Sequence, residues 1–181
     1  MEFDIRPGYD APEEIAALFK EYTDALVAEE PEFRRYLDLQ GYDAEAEHPE
    51  DKYSMPGGRL YLARAEGKPV GCVALRQIDE KRCEIKRLYV RPAYRERGLG
   101  GQLIQRLISD ARAIGYECLL LDTLPFLTDA IGMYHRRGFV DIPSYNNSPM
   151  ENLVYMRLDL KKCSLFVEGS SHQETALNSQ L

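Results

Sequence analysis

Histidine and cysteine are scarce and scattered in this chain of 181 residues. His48, His135 and His172 show no metal-ligand spacing, which argues against a zinc site. Cys72, Cys83, Cys118 and Cys163 form no C-x-x-C pair, and the first three fall in predicted strands, the pattern of buried free thiols. No cysteine has a histidine at informative spacing, so a cysteine nucleophile is disfavoured. Long hydrophobic runs are absent too: nothing approaches the roughly 20 apolar residues of a membrane span. The start, Met1 to Arg6, lacks the basic and apolar regions of a signal peptide. A soluble, cytoplasmic protein with no membrane partner is the expectation. Positive charge is in deficit, with 23 Lys and Arg against 30 Asp and Glu and a net charge of −7. That balance argues against nucleic-acid binding, which needs clustered cations to neutralise phosphates.

What the sequence does hold is concentrated in residues 91 to 101. A β-branched strand leads through Arg95, Glu96 and Arg97 to Gly98, Leu99, Gly100 and Gly101, where an amphipathic helix begins. Glycines let the backbone approach a ligand closely, and the first N–H groups of the helix have no intrahelical partner and lie at its positive end. A pyrophosphate fits such a cradle, with Arg95 and Arg97 as further donors. Two nucleotide motifs are excluded by spacing. A P-loop needs Gly-Lys-Ser/Thr, but Gly101 is followed by Gln102 and Leu103. The dinucleotide fingerprint needs a third glycine where Leu103 stands, although Asp122 does end the next strand.

The spacing Arg95-x-x-Gly98-x-Gly100 resembles the acyl-CoA signature of the GNAT N-acetyltransferase superfamily. Cys83 to Pro92 looks like that family's fourth strand, and Ala130 to Phe139 like its tyrosine-bearing helix ending in Gly-Phe. The resemblance spans residues 3 to 160. It implies an α/β fold with a central mixed, mostly antiparallel sheet flanked by helices, and a parallel strand pair splayed around the acyl-CoA. The implied co-substrate is acetyl-CoA, with no metal. By resemblance the backbone at Leu88, Tyr89 and Val90 holds the pantetheine amides, while Arg95, Glu96, Arg97, Gly98, Leu99, Gly100 and Gly101 form the pyrophosphate site. The family often carries Asn three residues before the alanine of the tyrosine helix; this chain has Leu127 there.

The remaining pattern agrees with one domain over residues 1–160 and a disordered or loosely attached tail over 161–181, rich in Ser, Gln, Glu, Asn and Thr. Strands are predicted at Phe3 to Arg6, Arg59 to Ala65, Pro69 to Gln77, Arg82 to Val90, Glu117 to Thr123 and Leu153 to Leu160. The fifth of these lies parallel to the fourth, because the intervening helix makes a crossover. Ile15, Leu18, Phe19, Tyr22 and Leu26 mark the face of a first helix, and a shorter one covers Phe33 to Leu39. Helices at Gly98 to Ile114 and Thr128 to Arg137 follow the cradle. Gly41 to Gly58 reads as a long polar loop, where Tyr42 and Tyr53 either line the acceptor pocket or are surface aromatics.

Acetyl transfer to an amine must hold CoA, remove a proton, stabilise an oxyanion and protonate a thiolate. Glu84 lies eleven positions before Arg95, the separation of the general base in the family's histone-acetylating branch; it is equally readable as a buried glutamate paired with Lys86 or Arg87. Tyr134, four residues before Gly138, matches the tyrosine that the family places beside the CoA sulfur. A phenol pKa of about 10 is close to that of a thiol, so proton transfer between them is nearly level. His135 turns about 100° away from it on the helix. The sequence therefore reads as an N-acetyltransferase acting on a small-molecule amine by direct attack in a ternary complex, with a homodimer as default assembly. A non-catalytic acyl-CoA-binding or interaction module, or a protein or peptide N-acetyltransferase, is the alternative. Pro143, Tyr145, Asn146 and Asn147 supply polar groups near the acceptor but no readable code.

Overall fold

Alternating apolar positions build seven strands into one sheet in the computed structural model, which describes residues 2–161. The strands are β1 (Asp4–Pro7), β2 (Arg59–Ala65), β3 (Lys68–Gln77), β4 (Arg82–Val90), β5 (Cys118–Thr123), β6 (Val140–Ile142) and β7 (Val154–Asp159), in the spatial order β1-β2-β3-β4-β5-β7-β6. Every pairing is antiparallel except β4 with β5. The helices are α1 (Pro12–Glu29), α2 (Phe33–Leu39), α3 (Tyr42–Glu47), α4 (Glu50–Tyr53), α5 (Leu99–Ile114) and α6 (Thr128–His135). One face of the sheet packs Leu99, Leu103, Ile104, Leu107 and Ile108 of α5 on Val73, Leu75, Cys83 and Ile85. The other face packs Ile15, Leu18, Phe19 and Leu26 of α1, with Phe33, Tyr36 and Leu37 of α2, on Leu60, Leu62, Cys72 and Ala74. Cys72, Cys83 and Cys118 are buried free thiols.

Three expectations change. Residues 41 to 58 are not an open loop but carry α3 and α4, each with acidic residues in its first turn. Tyr42 and Tyr53 are neither surface aromatics nor pocket walls. They are 7% and 1% exposed, with their hydroxyls bonded to Thr23 and Glu45. The strand β6 had no sequence signal, since it is three residues long and largely exposed. The segment expected to form a tail lies, beyond Lys161, outside the described residues.

Two features of β4 set the site. Its parallel pairing with β5 runs only from Arg82↔Cys118 to Glu84↔Leu120, after which the strands diverge. Just beyond, the register with β3 shifts between Cys72 and Ala74, and Arg87 takes a left-handed φ of 56°. This is a β-bulge, which inserts one residue and reverses the alternation beyond it. Cys83 and Ile85 face α5 before the bulge, whereas Leu88 and Val90 face it afterwards. Lys86 and Arg87, though consecutive, therefore both contact groups on the opposite side. Holding a non-glycine residue there costs of order 1 kcal/mol, and such strain concentrates at functional sites.

Candidate active site

The cradle and the pocket lie on either side of the splay. At the cradle, Gly98 is left-handed (φ 82°) and no side chain caps α5. The first intrahelical bond comes from Gln102 N to Gly98 O at 3.1 Å, so the N–H groups of Leu99, Gly100 and Gly101 stand outside the ladder. Glu96 also takes positive φ, at 60°. Arg95 and Arg97 sit in the exposed turn, where Arg95 Nε donates to Val90 O at 3.0 Å and Arg97 lies 5.9 Å from the Tyr94 ring centre. The Leu99 side chain belongs to the core, so only its backbone is available there. A Cβ on Gly101 would meet Arg137 Nη2 at 2.2 Å, and a groove of about 560 Å³ joins Gly98, Gly101, Gln102 and Arg137. Uncapped N–H groups, bare backbone and nearby guanidinium groups fit a pyrophosphate.

The pocket is lined by Tyr22, Tyr36, Lys86, Arg87, Asp122 and Tyr134, with Leu26, Phe33, Leu127 and Leu153 as apolar walls. It encloses about 40 Å³, little more than one water's share of liquid. Tyr134 is 5% exposed, and its hydroxyl has no hydrogen bond among the described residues. Burial raises its pKa above the phenol value of 10.0, and the neighbouring Tyr22 and Asp122 push the same way. Tyr22, on α1, likewise has no hydroxyl partner among the described residues, and burial lifts it to about 12. His135 points outward beside Asp141, at 3.5 Å.

Glu84 is fully buried at the last paired position of the splay. Its Oε2 accepts from Arg76 Nη2 at 2.7 Å, its Oε1 from Tyr145 Oη at 2.6 Å, and Lys86 Nζ lies 3.3 Å away. Lys86 was the anticipated neighbour; Arg87 instead pairs with Glu45 of α3, through Nε at 2.6 Å and Nη2 at 3.0 Å. Burial works to raise the Glu45 pKa, but Arg87 and Lys52 outweigh it and bring it down to about 2. Asp122 accepts from Tyr36 Oη at 2.5 Å, Asn146 Nδ2 at 2.9 Å and Lys86 Nζ at 3.3 Å. Its burial, which would raise the pKa, is again outweighed by Lys86 and these hydrogen bonds, so the carboxylate is held ionised.

Two polar networks thus meet at the pocket, one joining Lys52, Glu45, Arg87 and Gln40 and the other Tyr36, Asp122, Lys86, Glu84 and Tyr145. The sequence indicated Glu84 and Tyr134 but passed over Tyr22, Tyr36 and the pocket role of Asp122. Tyr22 had been legible only as part of the α1 stripe. Leu88 lines the pocket, Tyr89 packs against Tyr22 with ring centres 5.7 Å apart, and Val90 turns to the α5 face. No cluster of potential metal ligands occurs among the described residues, and no helix there is long and apolar enough to cross a membrane.

Residues 15–139 match the Acetyltransferase (GNAT) family. An uncharacterized N-acetyltransferase of Schizosaccharomyces pombe is 40% identical over 133 residues, covering 72% of this chain and 82% of the relative. An IAA acetyltransferase of Azospirillum brasilense is 38% identical over 65% of this chain and 78% of its own length. Among solved structures, an acetyltransferase from Streptococcus agalactiae superposes with a TM-score of 0.69 at 22% identity, covering 87% of this chain and 98% of that one. The PaiA N-acetyltransferase of Thermoplasma acidophilum, solved with coenzyme A, gives 0.67 at 17% identity over 88% and 99%. These two likenesses concern the fold.

Proposed function

Because the chain belongs to the GNAT family of acetyl-CoA-dependent acyltransferases, we propose that it acetylates the primary amine of a small molecule by direct attack in a ternary complex. The observation that carries this reading is Tyr134, a largely buried residue whose hydroxyl has no hydrogen-bond partner among the described residues and is accessible from a narrow pocket lined by β4 and β5 residues beyond their splay. Acetyl-CoA supplies the acyl group as a thioester, activated toward an attacking amine. The cradle from Arg95 to Gly101 binds its pyrophosphate, and the β4 edge from Leu88 to Val90 offers main-chain groups to the pantetheine amides. Burial keeps Tyr134 Oη protonated and makes it a weaker acid than a free phenol, so its transfer to sulfur is no longer level and its hydroxyl serves the departing thiolate first as a hydrogen-bond donor. The narrowness of the pocket and its roof of helices support a small acceptor over a peptide.

Glu84 is assigned here as a positioning residue, since Arg76, Lys86 and Tyr145 enclose it. It holds Lys86 and Tyr145 against the pocket wall, and the acceptor ammonium gives its proton to solvent before attack. The rate at low acceptor concentration then rises with pH toward the pKa of each acceptor's own amine. A shared inflection, independent of the acceptor and abolished in Glu84→Gln, would return Glu84 to the role of general base. The deciding assay is thiol release from acetyl-CoA across a panel of amines, for wild type and Tyr134→Phe. Amine-dependent release that falls tenfold or more in the variant supports the reading; saturable CoA binding without release by any amine supports a non-catalytic binding module instead.

A further inference from the structure

We infer that the acceptor carries a carboxylate beside its amine, and that Arg87 binds that carboxylate. The inference rests on the proposed acetyl transfer and adds the acceptor's chemical class. Three observations lead to it. First, the bulge turns two consecutive cations, Lys86 and Arg87, into the pocket, at the expense of a left-handed backbone at Arg87. A site built only to receive an ammonium has no use for two cations in its wall. Second, the charges do not cancel. The ion pairs form two groups: Arg76 and Lys86 against Glu84 and Asp122, which cancel, and Lys52 and Arg87 against Glu45, which leave one positive charge over. This local excess of positive charge occurs in a chain whose net charge is −7. Third, the excess has an address. The Arg87 side chain is 4% exposed and its Nε and Nη2 are taken by Glu45 and Gln40, whereas Nη1 has no hydrogen-bond partner among the described residues.

A buried guanidinium with an unused N–H pair is suited to an anion, and a carboxylate accepts from it in plane. The same pocket presents the phenolic oxygens of Tyr22 and Tyr134 without partners among the described residues, next to ionised Asp122. These can accept from the amine. Arg87 and Asp122 stand on adjacent strands, so the two recognised groups of the acceptor must lie close together, as in an amino acid. Leu26, Phe33, Leu127 and Leu153 close the pocket to about 40 Å³, so the acceptor's side chain is small or lies outside it.

The test is a comparison of matched acceptors on the wild-type protein with acetyl-CoA: glycine and alanine, their carboxamides, and the decarboxylated amines. Because solvent deprotonation favours the less basic amine, rates are compared per free-amine concentration. The expected result is a kcat/KM at least tenfold higher for the amino acids than for either neutral counterpart, through KM. In Arg87→Met that ratio should fall toward one, while Arg87→Lys retains part of it; calorimetric binding of CoA to each variant verifies that the fold is intact. Equal or better use of the carboxamides and simple amines by wild type would overturn the carboxylate inference and leave acetyl transfer standing. Absence of thiol release with every acceptor would overturn acetyl transfer and this inference with it. The wild-type series alone decides the matter if the Arg87 variants fail to fold.

Discussion

The two sides of the splay recognise their ligands by different means. The cradle is made of backbone: uncapped N–H groups, a left-handed glycine and residues whose side chains, like Leu99, face away into the core. The pocket is made of side chains drawn from α1, α2, β4, β5, α6 and the segment after β6, joined by ion pairs and hydrogen bonds. A backbone site suits a ligand that never changes, because it is insensitive to most substitutions. A side-chain network can be retuned one residue at a time, and buried charges make each change costly, since removing one partner strands the other.

That contrast is sharpened first by Glu45→Gln. Its carboxylate moves from the ordinary 4.5 to about 2 on folding, so it stabilises the fold fully above pH 4.5 and progressively less as pH falls through 2. At neutral pH the variant should lose on the order of 3 kcal/mol in denaturant unfolding, and wild type and variant should converge only as pH falls to about 2. Tyr134→Phe should come next, lowering kcat about tenfold to a hundredfold, or roughly 1.4 to 2.7 kcal/mol of barrier, with the KM for acetyl-CoA nearly constant in steady-state kinetics. Gly98→Ala should have the smallest effect. Its left-handed φ costs an alanine about 1 kcal/mol, which should appear as a several-fold rise in the KM for acetyl-CoA without altering preference among acceptors. If Gly98→Ala instead changed acceptor preference, the separation of the two sides would be broken.

The same contrast explains what could be read from the chain. Backbone recognition leaves a local trace, because glycines at 98, 100 and 101 are close in sequence to the helix they open. The amphipathic stripe of α5 and the alternation of β2 and β3 are equally local. The acceptor network is not: Arg87 meets Glu45 at a separation of 42 residues, and Tyr36 meets Asp122 at 86. No periodicity reports such pairs. The bulge was hidden for a related reason, since nothing in Lys86, Arg87 and Leu88 marks a residue to be skipped, and a left-handed arginine is chosen by its partners and not by its own preference. Helices α3 and α4 were missed because four to six residues carry too little pattern to register.

The bulge also gives the fourth strand a grammar of its own. Read from Arg82 to Lys86 the strand has one phase; read from Leu88 to Val90 it has the other, and Arg87 is the comma between them. Deleting that single residue would do more than remove a charge. Because Arg87 is the extra residue, its removal would place Leu88 opposite Val73 and restore an unbroken ladder, with Leu88 and Val90 still facing α5 and Tyr89 still facing α1. The sheet could close over the gap; what would be lost is the one position that brings a second, consecutive cation to the pocket and to Glu45.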